Sequence, residues 1–109
     1  MKLGDLVVVH FPYTNLLQSK VRPAVVVKST DDRHRDYIVC LISSTLPTQL
    51  NNKEILLQPN NTNGLKVPSV IKVYRVATLE ASLVISIIGR LSEEEIHSFV
   101  AAFQSLPLS

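Results

Sequence analysis

Arg22 is the residue of this chain whose neighbours best equip it for chemistry. It stands directly before Pro23-Ala24-Val25-Val26-Val27-Lys28, and the apolar run after the proline reads as a strand covered on both faces. Pro23 suits the first position of such a strand, where its missing N–H costs no ladder bond. The arginine is therefore expected at a strand mouth. Ahead of it, Pro12 to Lys20 is a polar connection leading from an earlier apolar strand. A guanidinium that is always ionised, and that can donate two parallel bonds to a phosphate, thus meets a loop that could close over a ligand. The alternative is an arginine that caps the strand and pairs with an acid.

Other candidates carry weaker signals. Ser43-Ser44-Thr45 follows the apolar run Tyr37 to Ile42, and three hydroxyls at a strand end can serve a substrate or simply make a turn. His10 could act as a general base, or be a packed or edge histidine at the end of its strand. His34, between Arg33 and Arg35, reads as surface decoration. Lys72 and Tyr74 share one face of a strand, a face that is either functional or wet.

The elements that must position these groups are short. Gly4-Asp5 reads as a turn into a first strand, Leu6 to Phe11, ended by Pro12. Ala24 to Lys28 is the second strand and Ser29 to Asp36 a polar hairpin loop. Tyr37 to Ile42, Lys53 to Leu57, Ser69 to Tyr74 and Val84 to Ile88 complete the strands, the last ended by Gly89. Gln58-Pro59-Asn60-Asn61-Thr62-Asn63-Gly64 is the strongest turn signal. Val76 to Leu83 fits either a short helix or a bend. The one clear helix starts at Ser92, which forms a capping box with Glu95, while Glu93 and Glu94 suit the positive end of the helix dipole. Ile96, Phe99, Val100 and Phe103 make a single apolar stripe on it. Short strands, hairpin-length loops and a terminal helix predict a mainly β fold, a small and strongly bent antiparallel sheet or barrel.

Composition sets the outer bounds. A chain of 109 residues, 46% apolar and 18% charged, is expected to be one domain with one core and no large disordered region. Cys40 lies inside an apolar run and is expected to be a buried thiol; as the single cysteine it forms no internal disulfide. The net charge of +2, from 11 basic and 9 acidic residues, does not by itself indicate nucleic acid. Between Gly64 and Arg90, however, Lys66, Lys72, Arg75 and Arg90 face one acid, Glu80, so a local basic surface is expected. The sequence has no Cys/His cluster at metal spacing, no glycine-rich phosphate loop and no nucleotide fingerprint. Any chemistry is expected to be free of metal and cofactor. Nothing resembles a signal peptide or a membrane span, which suggests a cytoplasmic protein.

The order of the pieces carries a resemblance. Gly4-Asp5-Leu6-Val7-Val8-Val9, Arg22-Pro23-Ala24-Val25-Val26-Val27, Ile42-Ser43, Pro68-Ser69-Val70-Ile71, Ala77-Thr78-Leu79 and Ile88-Gly89-Arg90-Leu91 together resemble the MazF/PemK family, toxins of type II toxin–antitoxin pairs, over essentially the whole chain. The resemblance implies an SH3-like antiparallel barrel with a C-terminal helix, a homodimer, and a metal-independent ribonuclease that cuts single-stranded RNA at short sequences and is neutralised by an antitoxin. It implies that Arg22 is the catalytic arginine and that Ser43 stands where the family usually has a catalytic threonine. With it, Gln18, Ser19, Lys20 and Lys72 become the residues expected to position RNA.

The sequence also departs from the family. Some relatives carry an acid in the loop before the Arg-Pro pair, where this chain has Asn15, Leu16 and Leu17. Some carry Arg-x-Asp where this chain has Lys72-Val73-Tyr74, and a phenol of pKa about 10 cannot replace aspartate as a base at neutral pH. These departures leave the general base open. They also keep two alternatives in play: a toxin of similar fold that acts by contact, as the gyrase-poisoning CcdB toxins do, and a member that binds antitoxin without cleaving RNA.

Overall fold

The β-branched runs form six antiparallel strands, and the capping box starts one helix. The computed structural model describes residues 1–12, 19–31, 33 and 35–107. In chain order the elements are β1 (Asp5–Pro12), β2 (Ser19–Ser29), β3 (Asp36–Ser43), β4 (Glu54–Leu57), β5 (Ser69–Glu80), β6 (Val84–Arg90) and α1 (Glu93–Gln104), with a 3₁₀ turn at Ala81–Leu83. The strands make one sheet in the order β4-β5-β3-β2-β1-β6, antiparallel at every junction.

The mainly β class with a C-terminal helix is as expected, but the sheet does not close into a barrel. Its end strands, β4 and β6, are not paired with each other. β4 is only four residues long, and the Gln58–Gly64 segment that follows it reaches β6 as a turn instead of a strand. The two are joined by one backbone hydrogen bond, Arg90 N–H to the Thr62 carbonyl at 2.8 Å. Close approach needs two glycines: a Cβ at Gly64, whose φ is +70°, would overlap the Ile88 carbonyl, and a Cβ at Gly89 would overlap the Asn63 backbone. The turn is held from within by Asn63, fully buried. Its Oδ1 accepts from the Asn60 and Leu65 N–H groups, and its Nδ2 donates to the Gln58 carbonyl.

Because side chains alternate along a strand, the central strands bury both faces. One face packs Leu6, Val25, Cys40, Ile42 and Ile71 under the helix through Phe99. The other packs Val7, Val9, Ala24, Val26, Val39 and Leu79. Ser92 caps α1 as expected, its Oγ accepting from the Glu95 N–H while the Glu95 carboxylate accepts from the Ser92 N–H.

Three boundaries differ from expectation. Pro23 lies inside β2, not at its start. Pairing with β1 already includes Pro23, opposite Val8, whereas pairing with β3 begins only at Ala24, opposite Leu41, so the missing N–H breaks no bond on the β3 side. β5 continues through Val76 to Glu80, neither helix nor bend there, because Asp36 to Val39 of β3 supply it with a ladder. Gly89 is part of β6 instead of its terminator.

Candidate functional site

Pro23 makes the site by ending a ladder. Ala24 opposite Leu41 is the last β2–β3 pair, and beyond it the strands diverge, β2 toward Arg22 and β3 toward Ser43. β3 stays bound to β5 on its other side, with Ser43 opposite Val70 and Leu41 opposite Lys72. Residues directly opposite one another share a face of the sheet. The fork therefore opens into a cleft of about 300 Å³ lined by Arg22, Leu41, Ile42, Ser43, Thr45, Lys72 and Arg75.

A bulge supplies Arg75. Cys40 stands opposite Val76, and the next β3 residue, Leu41, stands opposite Lys72, so Val73, Tyr74 and Arg75 have no partner on β3. A bulged strand bends and re-aims its side chains. Val73 stays in the core, and its own backbone groups find partners elsewhere. The Cys40 thiol donates to the Val73 carbonyl at 3.4 Å, and the Val73 N–H donates to the Lys53 carbonyl at 3.0 Å. Burial pushes the Cys40 thiol up to about 12, so it is a structural donor and not a nucleophile. Arg75 lies 5.8 Å from the centre of the exposed Tyr74 ring.

The Ser43 Oγ accepts the Thr45 N–H at 3.1 Å. Ser43 and Thr45 thus form a turn and a part of the cleft at once, since that bond uses the oxygen and leaves the Ser43 O–H as a donor.

Lys72 is not a solitary cation. Its Nζ donates to Glu54 Oε2 at 2.7 Å, with the lysine side chain 18% and the glutamate side chain 5% exposed. Glu54 Oε1 accepts the Asn51 N–H at 3.1 Å. The bond from Lys72, then that from Asn51, hold the Glu54 carboxyl below its ordinary range. The same bond to Glu54 raises Lys72 against the opposing effect of burial.

Of the residues expected from sequence, Arg22, Ser43 and Lys72 meet in the cleft. Lys20 is exposed on β2 opposite Phe11 and is absent from the lining; the backbone of Ser19 pairs with Pro12, and its side chain lies outside the described residues. Gln18 lies outside the described residues. His10 is exposed opposite Val21 and is likewise absent from the lining. The basic surface expected between Gly64 and Arg90 is thinner than its composition suggests, because Lys72 is paired with Glu54 and Arg90 with Asp5 at 2.9 Å. Sequence reasoning did not single out Arg75, Glu54 or Thr45. Thr45 was visible within the hydroxyl triplet, whereas Arg75 and Glu54 depend on a bulge and a strand pairing that no local pattern marks.

Arg22 also borders a second, apolar cleft of about 460 Å³, formed with Val8, Val21, Pro23, Leu65, Val67 and Ile88 among others. Among the described residues no three of His, Cys, Asp and Glu are grouped to hold a metal ion. No described helix is long and apolar enough to cross a membrane.

Comparison with known proteins gives a consistent placement. Residues 2–106 match the family described as PemK-like, MazF-like toxin of type II toxin-antitoxin system. No curated protein sequence matches. Among solved structures, the Mycobacterium tuberculosis toxin MazF-mt6 is similar at 19% identity, with 91% of each chain covered and a TM-score of 0.69. An endoribonuclease in complex with its cognate antitoxin, from a mycobacterial species, is similar at 14% identity over 100% of this chain and 99% of that one, TM-score 0.72. MazF from Deinococcus radiodurans is similar at 19% identity over 96% and 94%, TM-score 0.72.

Proposed function

Because this chain belongs to the PemK-like, MazF-like toxin family of type II toxin–antitoxin systems, we propose that it is an endoribonuclease toxin, cutting single-stranded RNA at a short sequence without a metal ion. The observation that carries this reading is the convergence of Arg22, Ser43, Lys72 and Arg75 on one cleft. Cations and a hydroxyl donor, gathered at a sheet fork, suit a phosphodiester.

In the proposed reaction the ribose 2′-OH attacks the adjacent phosphorus and the bond to the 5′ oxygen of the next nucleotide breaks, leaving a 2′,3′-cyclic phosphate and a 5′-OH end. Negative charge grows on the non-bridging oxygens. The Arg22 guanidinium meets it with paired N–H donors, and the Ser43 hydroxyl adds a third. Arg75, with no carboxylate among its described partners, is the second cation offered to the strand. Lys72 acts from the wall, while Gln18 from the β1–β2 connection, and Ser19 and Lys20 from the start of β2, contact RNA. The lining offers cations and hydroxyls, so its contribution is the stabilisation of charge.

One similar structure is an endoribonuclease with its cognate antitoxin, and the same kind of partner is proposed here, an antitoxin that covers the cleft. The acting form is proposed to be a cytoplasmic homodimer. The test is incubation of the purified protein with a long single-stranded RNA in EDTA. Fragments with 5′-OH ends at one short motif support the reading. An intact RNA with retained antitoxin binding would point to the degenerate member, and gyrase inhibition to the contact toxin.

A further inference from the structure

We infer that Glu54 is a positioning residue of the cleft, acting through Lys72 so that the pair, and not the lysine alone, is the functional group of the wall. The inference rests on the ribonuclease reading for its role in cleavage, but its geometry stands by itself. Glu54 and Lys72 are directly opposite on β4 and β5, and the carboxylate is almost fully covered, with Oε2 on Lys72 and Oε1 on the Asn51 N–H. Both carboxylate oxygens are engaged within the protein, and the lysine is the member of the pair that reaches the cleft.

Stability alone does not account for such a pair. A buried ion pair holds an edge strand no better than two apolar residues of the same volume, because desolvation offsets the attraction. What the carboxylate does provide is direction. A lysine ammonium on four rotatable carbons is otherwise a mobile point charge; tethered to Glu54, it is held as part of the cleft wall. The tether also prevents Lys72 from leaving to pair with a phosphate, since that would strand a buried carboxylate. Lys72 therefore serves as a fixed donor of small net charge, while Arg22 and Arg75 supply the field.

This predicts an inverted pattern of substitutions. Lys72→Met removes the donor and leaves an uncompensated anion behind the wall, so it should harm RNA binding more than Glu54→Gln/Lys72→Met, which removes both. Glu54→Gln keeps the shape, frees the ammonium and lowers its proton affinity. The charged and titratable groups facing Lys72 are Glu54 from β4, Tyr74 and Arg75 from β5 and Arg22 from β2, while β3 presents the neutral Leu41 and Ser43. Of these, only Glu54 carries negative charge at neutral pH. With it gone, the alkaline limb of activity should move to lower pH.

The test measures binding of a 2′-O-methyl RNA oligonucleotide by fluorescence anisotropy, together with cleavage of the unmodified RNA as a function of pH, after thermal unfolding has established that each variant folds. The expected result is weaker binding by Lys72→Met than by the double variant. Glu54→Gln is expected to lower kcat by ~10- to 10²-fold with KM nearly unchanged, as for a misplaced catalytic contact, and to shift the alkaline limb downward. A merely structural Glu54 would lower the melting temperature and leave the pH profile in place, and that outcome overturns the inference. So does a double variant that binds no better than Lys72→Met. If the wild type binds the oligonucleotide but cleaves nothing, the ribonuclease reading fails and the binding order still decides the inference. If Lys72→Met does not fold, the pH profile of Glu54→Gln decides it.

Discussion

At the scale of single residues, the role proposed for Arg22 is one that no other side chain can take over. Loss of one preorganised donor to a developing oxyanion typically lowers rate by ~10²–10³, so Arg22→Ala should lose at least that much cleavage with its fold intact by circular dichroism. Arg22→Lys should not restore it, because a point charge lacks the planar fork that meets two phosphate oxygens. Ser43→Thr should stay active while Ser43→Ala falls, as a quenched-substrate assay would register, since the hydroxyl and not the methyl is the donor. Cys40 gives an independent check on the bulge. A covered thiol raised to about 12 should ignore a thiol reagent in the native protein and react stoichiometrically once the chain is unfolded.

At the scale of elements, the cleft depends on two interruptions of the sheet, the proline that ends the β2–β3 ladder and the three-residue bulge on β5. The first was legible in the sequence. An arginine and a proline before a β-branched run mark a strand mouth from local pattern alone, although the strand starts earlier than the proline suggested. Ser43 was legible as a candidate site residue only through its resemblance to a family position, because hydroxyls at a strand end serve turns equally well, and here Ser43 both accepts the Thr45 N–H and lines the cleft. The second interruption was not legible. Whether Arg75 points into the cleft depends on how β5 slips against β3, and whether Glu54 meets Lys72 depends on which strand β4 joins; both are settled by tertiary pairing. The capping box, by contrast, is written within four residues, and Ser92→Ala should cost about 1 kcal/mol in chemical denaturation.

The Glu54–Lys72 pair also sets a pH dependence at this scale. Glu54 titrates below its ordinary value in the folded chain, so its stabilisation is present above the carboxylate range and is lost as pH falls through the lowered folded value. Lys72 is raised, so its part is present below the ordinary lysine range and lost only as pH climbs past it. Melting temperatures of wild type and Glu54→Gln should therefore differ at neutral pH and converge in acid. Curves that stay parallel would contradict the assignment.

At the scale of the whole molecule, a six-stranded sheet whose central strands are buried on both faces leaves the candidate cleft at one fork, close to an apolar cleft that shares Arg22 and Ile42. The open sheet's far strand β6 is met by a turn and two glycines instead of a ladder, so Gly89→Ala should destabilise the fold as a whole by forcing the 58–64 turn off β6. The proposed homodimer should appear as twice the chain mass of 12.1 kDa by light scattering at micromolar concentration. All of these readings meet in one experiment: a long single-stranded RNA incubated in EDTA with the wild-type protein and with Arg22→Ala, and the fragment ends mapped. Cleavage at one short motif leaving 5′-OH ends, present in the wild type and absent in the variant, is the expected result. An RNA left intact by both, or cut equally by both, would contradict a ribonuclease built on Arg22.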